Sequence, residues 1–291
     1  MLGVLVGLLC AASWASGSIL MRDLARKLDP FTLNAPRSLV GGLAALAITL
    51  FTGRAEGYQA ITPDKLFFML ISMGIGGCIG DSFYTISLGR IGVARAFPVA
   101  NTYPALTLLL GLAFLQEQFD PRMAAGLVFV IAGVIVISRT RHADTTGTAA
   151  PGVQTGIPFA LIASVCWAAS MILVAPGIDG LDSIMVASIR VPALSLVLWG
   201  VVATRKTFPR LRTLSRREWL IIVAGGLIGW GLGSVLFVMA VSMLGPTRAA
   251  ILTSTSPFFA LPLSAIFLRE KVGPRVLMGT VLTVAGVILV S

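Results

Sequence analysis

Long apolar runs, cut by short polar breaks, fill this chain from end to end. They lie at 3–21, 32–52, 66–88, 94–115, 121–138, 156–175, 184–204, 218–241, 247–268 and 274–291. Each approaches the ~20 residues an α-helix needs to cross about 30 Å of hydrocarbon. The pattern predicts an all-α integral membrane protein with ten transmembrane helices. One break is long: "RTRHADTTGTAAPGVQTG" is polar and rich in Gly and Thr, and reads as a linker. It divides the chain into a first five-helix repeat at 1–139, a linker at 140–155 and a second five-helix repeat at 156–291.

The two halves match. Trp167 follows Trp14 by 153 residues, and the same offset relates Arg37 to Arg190, Gly80 to Gly233, Arg95 to Arg248, Pro104 to Pro257 and Glu117 to Glu270. "AGVIVIS" at 132–138 returns as "AGVILVS" at 285–291. One gapless offset across a whole half indicates an internal duplication. Five is an odd number of crossings, so the second repeat must enter the membrane from the other side. The loops agree. Arg22, Arg26 and Lys27 follow the first run, whereas the matching "GIDGLD" holds only acids. The balanced loop with Arg54, Glu56, Asp64 and Lys65 is answered by Arg205, Lys206, Arg210, Arg212, Arg216 and Arg217. A positive-inside reading makes the basic side cytoplasmic and places both termini outside.

Composition adds exclusions. The chain is 56% hydrophobic and 12% charged, with mean hydropathy +0.94; soluble domains carry roughly 25% charged residues. The net charge of +10 sits in the breaks rather than along a groove, so it implies no nucleic-acid partner. Cys10, Cys78 and Cys166 lie in apolar runs and form no disulfide framework. The first run lacks a basic n-region and a small-residue cleavage site, and reads as a retained span. His142 is alone in the linker. No metal cluster, nucleophile motif or phosphate loop points to an enzyme or a cofactor.

Several motifs carry a family resemblance: the Trp in the first run of each half, the Arg in the second, and "GVARAFPVANTYPALTLLLGLAFLQE" with its copy "GPTRAAILTSTSPFFALPLSAIFLRE". "PRMAAGLVFVIAGVIVI" and "PRVLMGTVLTVAGVILV" close the halves. The chain resembles the drug/metabolite transporter superfamily in its EamA-type, ten-span branch. That resemblance implies two inverted five-helix repeats around a central cavity, secondary transport of small metabolites, often export, and no cofactor. The expected setting is the cytoplasmic membrane of a bacterium. One chain holds both repeats, so a monomer suffices for a pathway.

Candidate site residues follow from polarity inside apolar runs. Pro98 and Pro104 in the fourth run, and Pro257 and Pro262 in the ninth, each remove a helix hydrogen bond. Asn101 and Tyr103 flank one pair; Thr253, Ser254 and Ser256 flank the other. Matching breaks in inverted repeats suit a midplane binding site, and equally suit a structural kink. Arg37 and Arg190 sit about five residues inside their runs, roughly 8 Å deep. Each must face the interior or reach the headgroups. Asp81 is the one acid far from a loop, at a depth similar to Arg37, so the two are candidates for an ion pair or for proton coupling. Position 81 corresponds to Ser234 in the second copy, which leaves Arg190 without a matching acid and open to a substrate carboxylate or phosphate. Trp14 and Trp167 fall mid-run rather than in an interfacial belt, and with Tyr84 they line a binding space or simply pack helices. Gly76-x-x-x-Gly80 and Gly229-x-x-x-Gly233 are helix-packing motifs.

The expected function is alternating-access secondary transport, as export, of a small polar or amphiphilic metabolite such as an amino acid. Protons are the candidate coupling ion, and lipids surround the chain. The alternative is a flippase or carrier for a lipid head group or a lipid-linked sugar.

Overall fold

Caps and prolines decide where the helices begin. In the computed structural model, residues 1–92, 96, 99–115, 118, 120–138, 153–256, 258–260, 263 and 274–290 are described. Their regular structure is helical. In chain order come α1 (Leu2–Met21), α2 (Leu24–Lys27), α3 (Pro30–Phe51), α4 (Pro63–Met73) and α5 (Asp81–Ile91). Next are α6 (Tyr103–Phe114), α7 (Pro121–Ser138), α8 (Val153–Ile178), α9 (Ser183–Thr204) and α10 (Phe208–Arg212). The last are α11 (Arg216–Gly225), α12 (Gly233–Leu244), α13 (Pro246–Thr253) and α14 (Pro274–Val290). Asp29 opens α3 by accepting the Thr32 amide at 3.1 Å, with Pro30 in the first turn. Asp182, 153 residues later, opens α9 by accepting the Ile184 and Met185 amides at 3.0 Å. Gly92 and Gly245, again 153 apart, close α5 and α12 at φ 73° and 77°. That backbone region favours glycine.

Among the described residues, six helical stretches are long and apolar enough to cross a membrane: α1, α3, α4 through α5, α8, α9, and α11 through α12. The described parts of the apolar runs at 94–115 and 247–268 include the shorter helices α6 and α13. A turn at Asn101–Thr102 precedes α6, and a turn at Ser254–Thr255 follows α13, at positions related by the same offset. Pro104 begins α6, where its missing amide costs no helical bond.

Two long stretches are rewound in the middle. Gly74–Gly80 joins α4 to α5, and Gly226–Leu232 joins α11 to α12, each as a π-helix of seven residues. Wider π turns inside α-helices recur at functional sites. Their glycines let other helices come close. Gly80 meets the Trp167 indole and Gly233 meets the Trp14 indole; a Cβ at either would sit 2.9 Å or 2.8 Å from the ring. Gly76 meets Ser170, and Gly229 meets Gly17. The two GxxxG motifs therefore lie at helix contacts, where small residues let backbones pack without a hydrophobic driving force.

Each half packs crosswise on the other. α1 runs antiparallel to α11 and α12, with Gly3 against Leu244 and Met21 against Gly225. α8 runs antiparallel to α4 and α5, with Gly156 against Ile91 and Gly177 against Lys65. α3 and α9 are also antiparallel. Arg54 meets Asp182 at 2.5 Å at one end; Arg210 meets Asp29 at 3.5 Å, and Thr32 bonds Thr207 at 2.7 Å, at the other. α7 and α14 pair through Gly126, Val130 and Gly286. The outer surface is apolar: Leu109, Val128 and Leu196 are 62%, 65% and 76% exposed. Lys27 reaches Glu218 at 2.6 Å at the Asp29 end. Arg248 lies 4.0 Å from Asp120 at the Arg54 end. These exposed pairs contribute little to stability.

Candidate functional site

The crosswise packing leaves a cavity of about 130 Å³ between the halves. Space of that order accepts a benzene-sized molecule. Its wall draws on α1, α3, α4, α5, α6, α8, α9 and α12, on the turn at Asn101 and on both π-helical segments.

Aromatic rings form much of this wall. Trp167 lies 5.2 Å from Tyr84 and 5.9 Å from Tyr103, centroid to centroid, and Trp14 lies 5.6 Å from Phe237. Phe237 occupies the second copy's equivalent of Tyr84. These spacings suit tilted and edge-on contacts. The Trp167 indole N–H donates to Asp81 Oδ1 at 3.1 Å. Tyr103 shares a hydrogen bond with Thr253 Oγ1 at 2.5 Å.

Among the described residues, three ionisable side chains other than the tyrosines reach the cavity: Arg37, Asp81 and Arg190. Arg37 is 8% exposed and donates from Nη1 to Asn34 Oδ1 at 2.5 Å. Asn34 donates to Thr85 Oγ1 at 3.2 Å, and that hydroxyl donates to the Asp81 carbonyl at 2.7 Å. Arg37 and the Asp81 backbone are thus joined through two side chains. No ion pair within 4 Å joins the two charges among the described residues. The direct partner of the Asp81 carboxylate is the Trp167 indole, which neither side chain's depth in the sequence reveals. Arg190 is 3% exposed, donates from Nη2 to Ser72 Oγ at 3.3 Å, and lies 5.4 Å from the Phe237 ring centre.

The sequence candidates divide into wall and support. Trp14, Arg37, Asp81, Tyr84, Asn101, Tyr103, Trp167 and Arg190 all line the cavity. Thr253, Ser254 and Ser256 do not. Their hydroxyls turn back to the carbonyls of Ala249, Ile251 and Thr253 at 2.7, 2.7 and 2.6 Å, as hydroxyls near helix ends commonly do. Thr253 stands behind Tyr103 and holds its hydroxyl. Pro104 is buried at the start of α6. Pro98, Pro257 and Pro262 lie outside the described residues. Trp230, Phe237, Met73 and Met171 also line the cavity and are not singled out by polarity. The 153-residue offset from Tyr84 points to Phe237, and from Gly77 to Trp230.

The profile of the EamA-like transporter family matches residues 1–139 and 154–291. A protein of Archaeoglobus fulgidus, named an uncharacterized transporter, is 27% identical over 294 residues, covering 99% of this chain and 98% of its own. Protein LicB of Haemophilus influenzae is 26% identical over 298 residues, covering 99% of this chain and 97% of its own. A solved crystal structure superposes with a TM-score of 0.76 at 19% identity, over 99% of this chain and 96% of that one, and so shares the fold. This multi-pass membrane protein belongs to the EamA-like transporter family.

Proposed function

We propose that this protein is a secondary transporter that exports a small polar or amphiphilic metabolite, such as an amino acid, by alternating access. Its ten spans form two inverted five-helix repeats, divided at the 140–155 linker. It sits in the cytoplasmic membrane of a bacterium with its basic end inside and both termini outside. One observation carries the reading. Residues from both halves, held on helices that pack antiparallel and crosswise, converge on a single polar and aromatic cavity. The π-helical segments, one in each half, lie beside that cavity and contribute Gly76, Gly77, Gly229 and Trp230 to its wall. Rocking one half against the other about a shared site would open it to each side in turn.

The test is binding followed by exchange. Purified protein is melted with amino acids, amines, nucleosides and sugars. A ligand at a hundredfold excess over Kd stabilises by about 2.7 kcal/mol. Vesicles containing the protein are then loaded with that compound and given a labelled trace outside. The expected result is label accumulation by exchange. Binding without exchange contradicts a transporter of that compound, and movement of labelled lipid head groups instead would make the protein a flippase.

A further inference from the structure

We infer that the cavity receives a ligand bearing an anionic oxygen group, a carboxylate or a phosphate, and that Arg190 is the residue that holds it. The inference rests on the cavity being the substrate site and names the chemistry of what enters.

The first argument is charge. Two guanidiniums and one carboxylate face the same cavity. A guanidinium stays protonated in proteins, so it cannot escape burial by shedding its proton. Arg37 has Asn34 as a close acceptor, which leads through Thr85 to the backbone of Asp81, the acid of the same cavity. Arg190 has no carboxylate within 4 Å among the described residues. Its helix position matches Arg37, and the position matching Asp81 is Ser234, which lines the same cavity. The second half therefore has the cation at the matching position and a serine where the first half has the acid. Among the described residues one buried positive charge at the cavity is left without an acid, which is costly unless something enters to neutralise it.

The second argument is hydrogen bonding. Buried polar groups are almost always paired. Arg190 uses only Nη2, on a hydroxyl at 3.3 Å that itself donates to the Met69 carbonyl. Its Nε has no partner. The other cavity residues with a buried, unpartnered polar atom are Arg37, at Nε, and Trp230, at Nε1, both also donors. An arginine that serves only packing normally spends its fork on carbonyls or carboxylates; this one holds most of its fork unspent. A planar donor fork matches carboxylate and phosphate oxygens two at a time. The Phe237 ring centre lies 5.4 Å from the Arg190 guanidinium carbon, a cation–π contact that consumes no donor.

The test melts the full chain, purified in detergent, with matched pairs of compounds. Amino acids are set against their amides, hydroxy acids against their methyl esters, and sugar phosphates against the free sugars. Stabilisation is expected only from members with a free anionic group, and the carboxylate and phosphate arms separate the two sources. Arg190→Gln and Arg190→Lys should each weaken the response about tenfold or more, the lysine because a point charge does not replace the fork. Ser234→Asp gives the second half the acid that the first half has. It should silence the anions with Arg190 in place, and it decides the matter where an Arg190 variant does not fold. Equal stabilisation by the neutralised partners, no response to any anion, or an unchanged response in Arg190→Gln or Ser234→Asp overturns the inference. Exchange of a neutral compound unaffected by Arg190→Gln overturns the anion site and leaves transport intact; anion binding without exchange does the reverse.

Discussion

Asp81→Asn is expected to destabilise the protein by about 1–3 kcal/mol, Arg37→Gln by a similar amount, and the double variant by clearly less than the sum, because the two charges share one buried site without touching. Asparagine keeps an acceptor for the Trp167 indole, so the 3.1 Å hydrogen bond survives and only the charge is removed. Arg37, 8% exposed, is then left without a counter-charge. Changing Arg37 as well removes that orphan, and the recovery is a coupling of about 1 kcal/mol or more. Trp167→Phe is the control for the hydrogen bond alone and should cost about 1 kcal/mol from that source. Denaturation of the variants in mixed micelles measures these differences. The competing role for Asp81 is proton carriage. In that case Asp81→Asn abolishes flux driven by a proton gradient and leaves stability near wild type. Additive losses with unchanged proton coupling would contradict both roles and leave Asp81 a packing residue.

Gly41→Ala is expected to cost up to about 3 kcal/mol and to weaken ligand binding together with stability. A Cβ at Gly41 would lie 2.6 Å from Trp230 Cβ, 2.7 Å from the Gly226 carbonyl oxygen and 2.7 Å from the Gly231 nitrogen. None of these atoms can rotate away, so α3 and the second π-helical segment must separate. Arg37 on α3 and Trp230 on that segment both line the cavity, so the separation reshapes the site as well as the contact. Gly200→Ala on α9 is the control. Nothing lies within 4 Å of its Cβ position, and alanine favours the helix by up to about 1 kcal/mol. Melting and ligand titration of both variants check the pair; a Gly41→Ala protein as stable as Gly200→Ala would contradict the close crossing.

The matching helix starts and ends of the two halves were legible because their signals are local and doubled. Asp29 with Asp182, and Gly92 with Gly245, do the same work at helix starts and ends in each half. Charge inside an apolar run marked Arg37, Asp81 and Arg190, since burying it demands a reason. Partners were not legible. Asp81 and Trp167 stand 86 residues apart in sequence. Which group meets the carboxylate depends on how the halves cross. The same applies to Thr253, Ser254 and Ser256. A polar cluster beside a proline reads as a site, but a hydroxyl one turn from a carbonyl satisfies itself locally. The π-helical segments were hidden for a related reason. "GIGGCIG" and "GLIGWGL" read as packing motifs, and the extra residue per turn is fixed by what packs on their glycines from the other half. Trp230 and Phe237 escaped because an aromatic in an apolar run resembles core until a cavity appears beside it.

The central claim is that the cavity between the halves opens to both faces of the membrane, and Ser234 tests it most directly. Ser234 lines the cavity and is 8% exposed. In a background with Cys10, Cys78 and Cys166 changed to alanine, Ser234→Cys is treated with a membrane-impermeant thiol reagent in intact cells and in inside-out vesicles. Labelling from both faces, slowed by a ligand that stabilises the protein, is the predicted result. Labelling from one face only, or at a rate the ligand does not change, would contradict it.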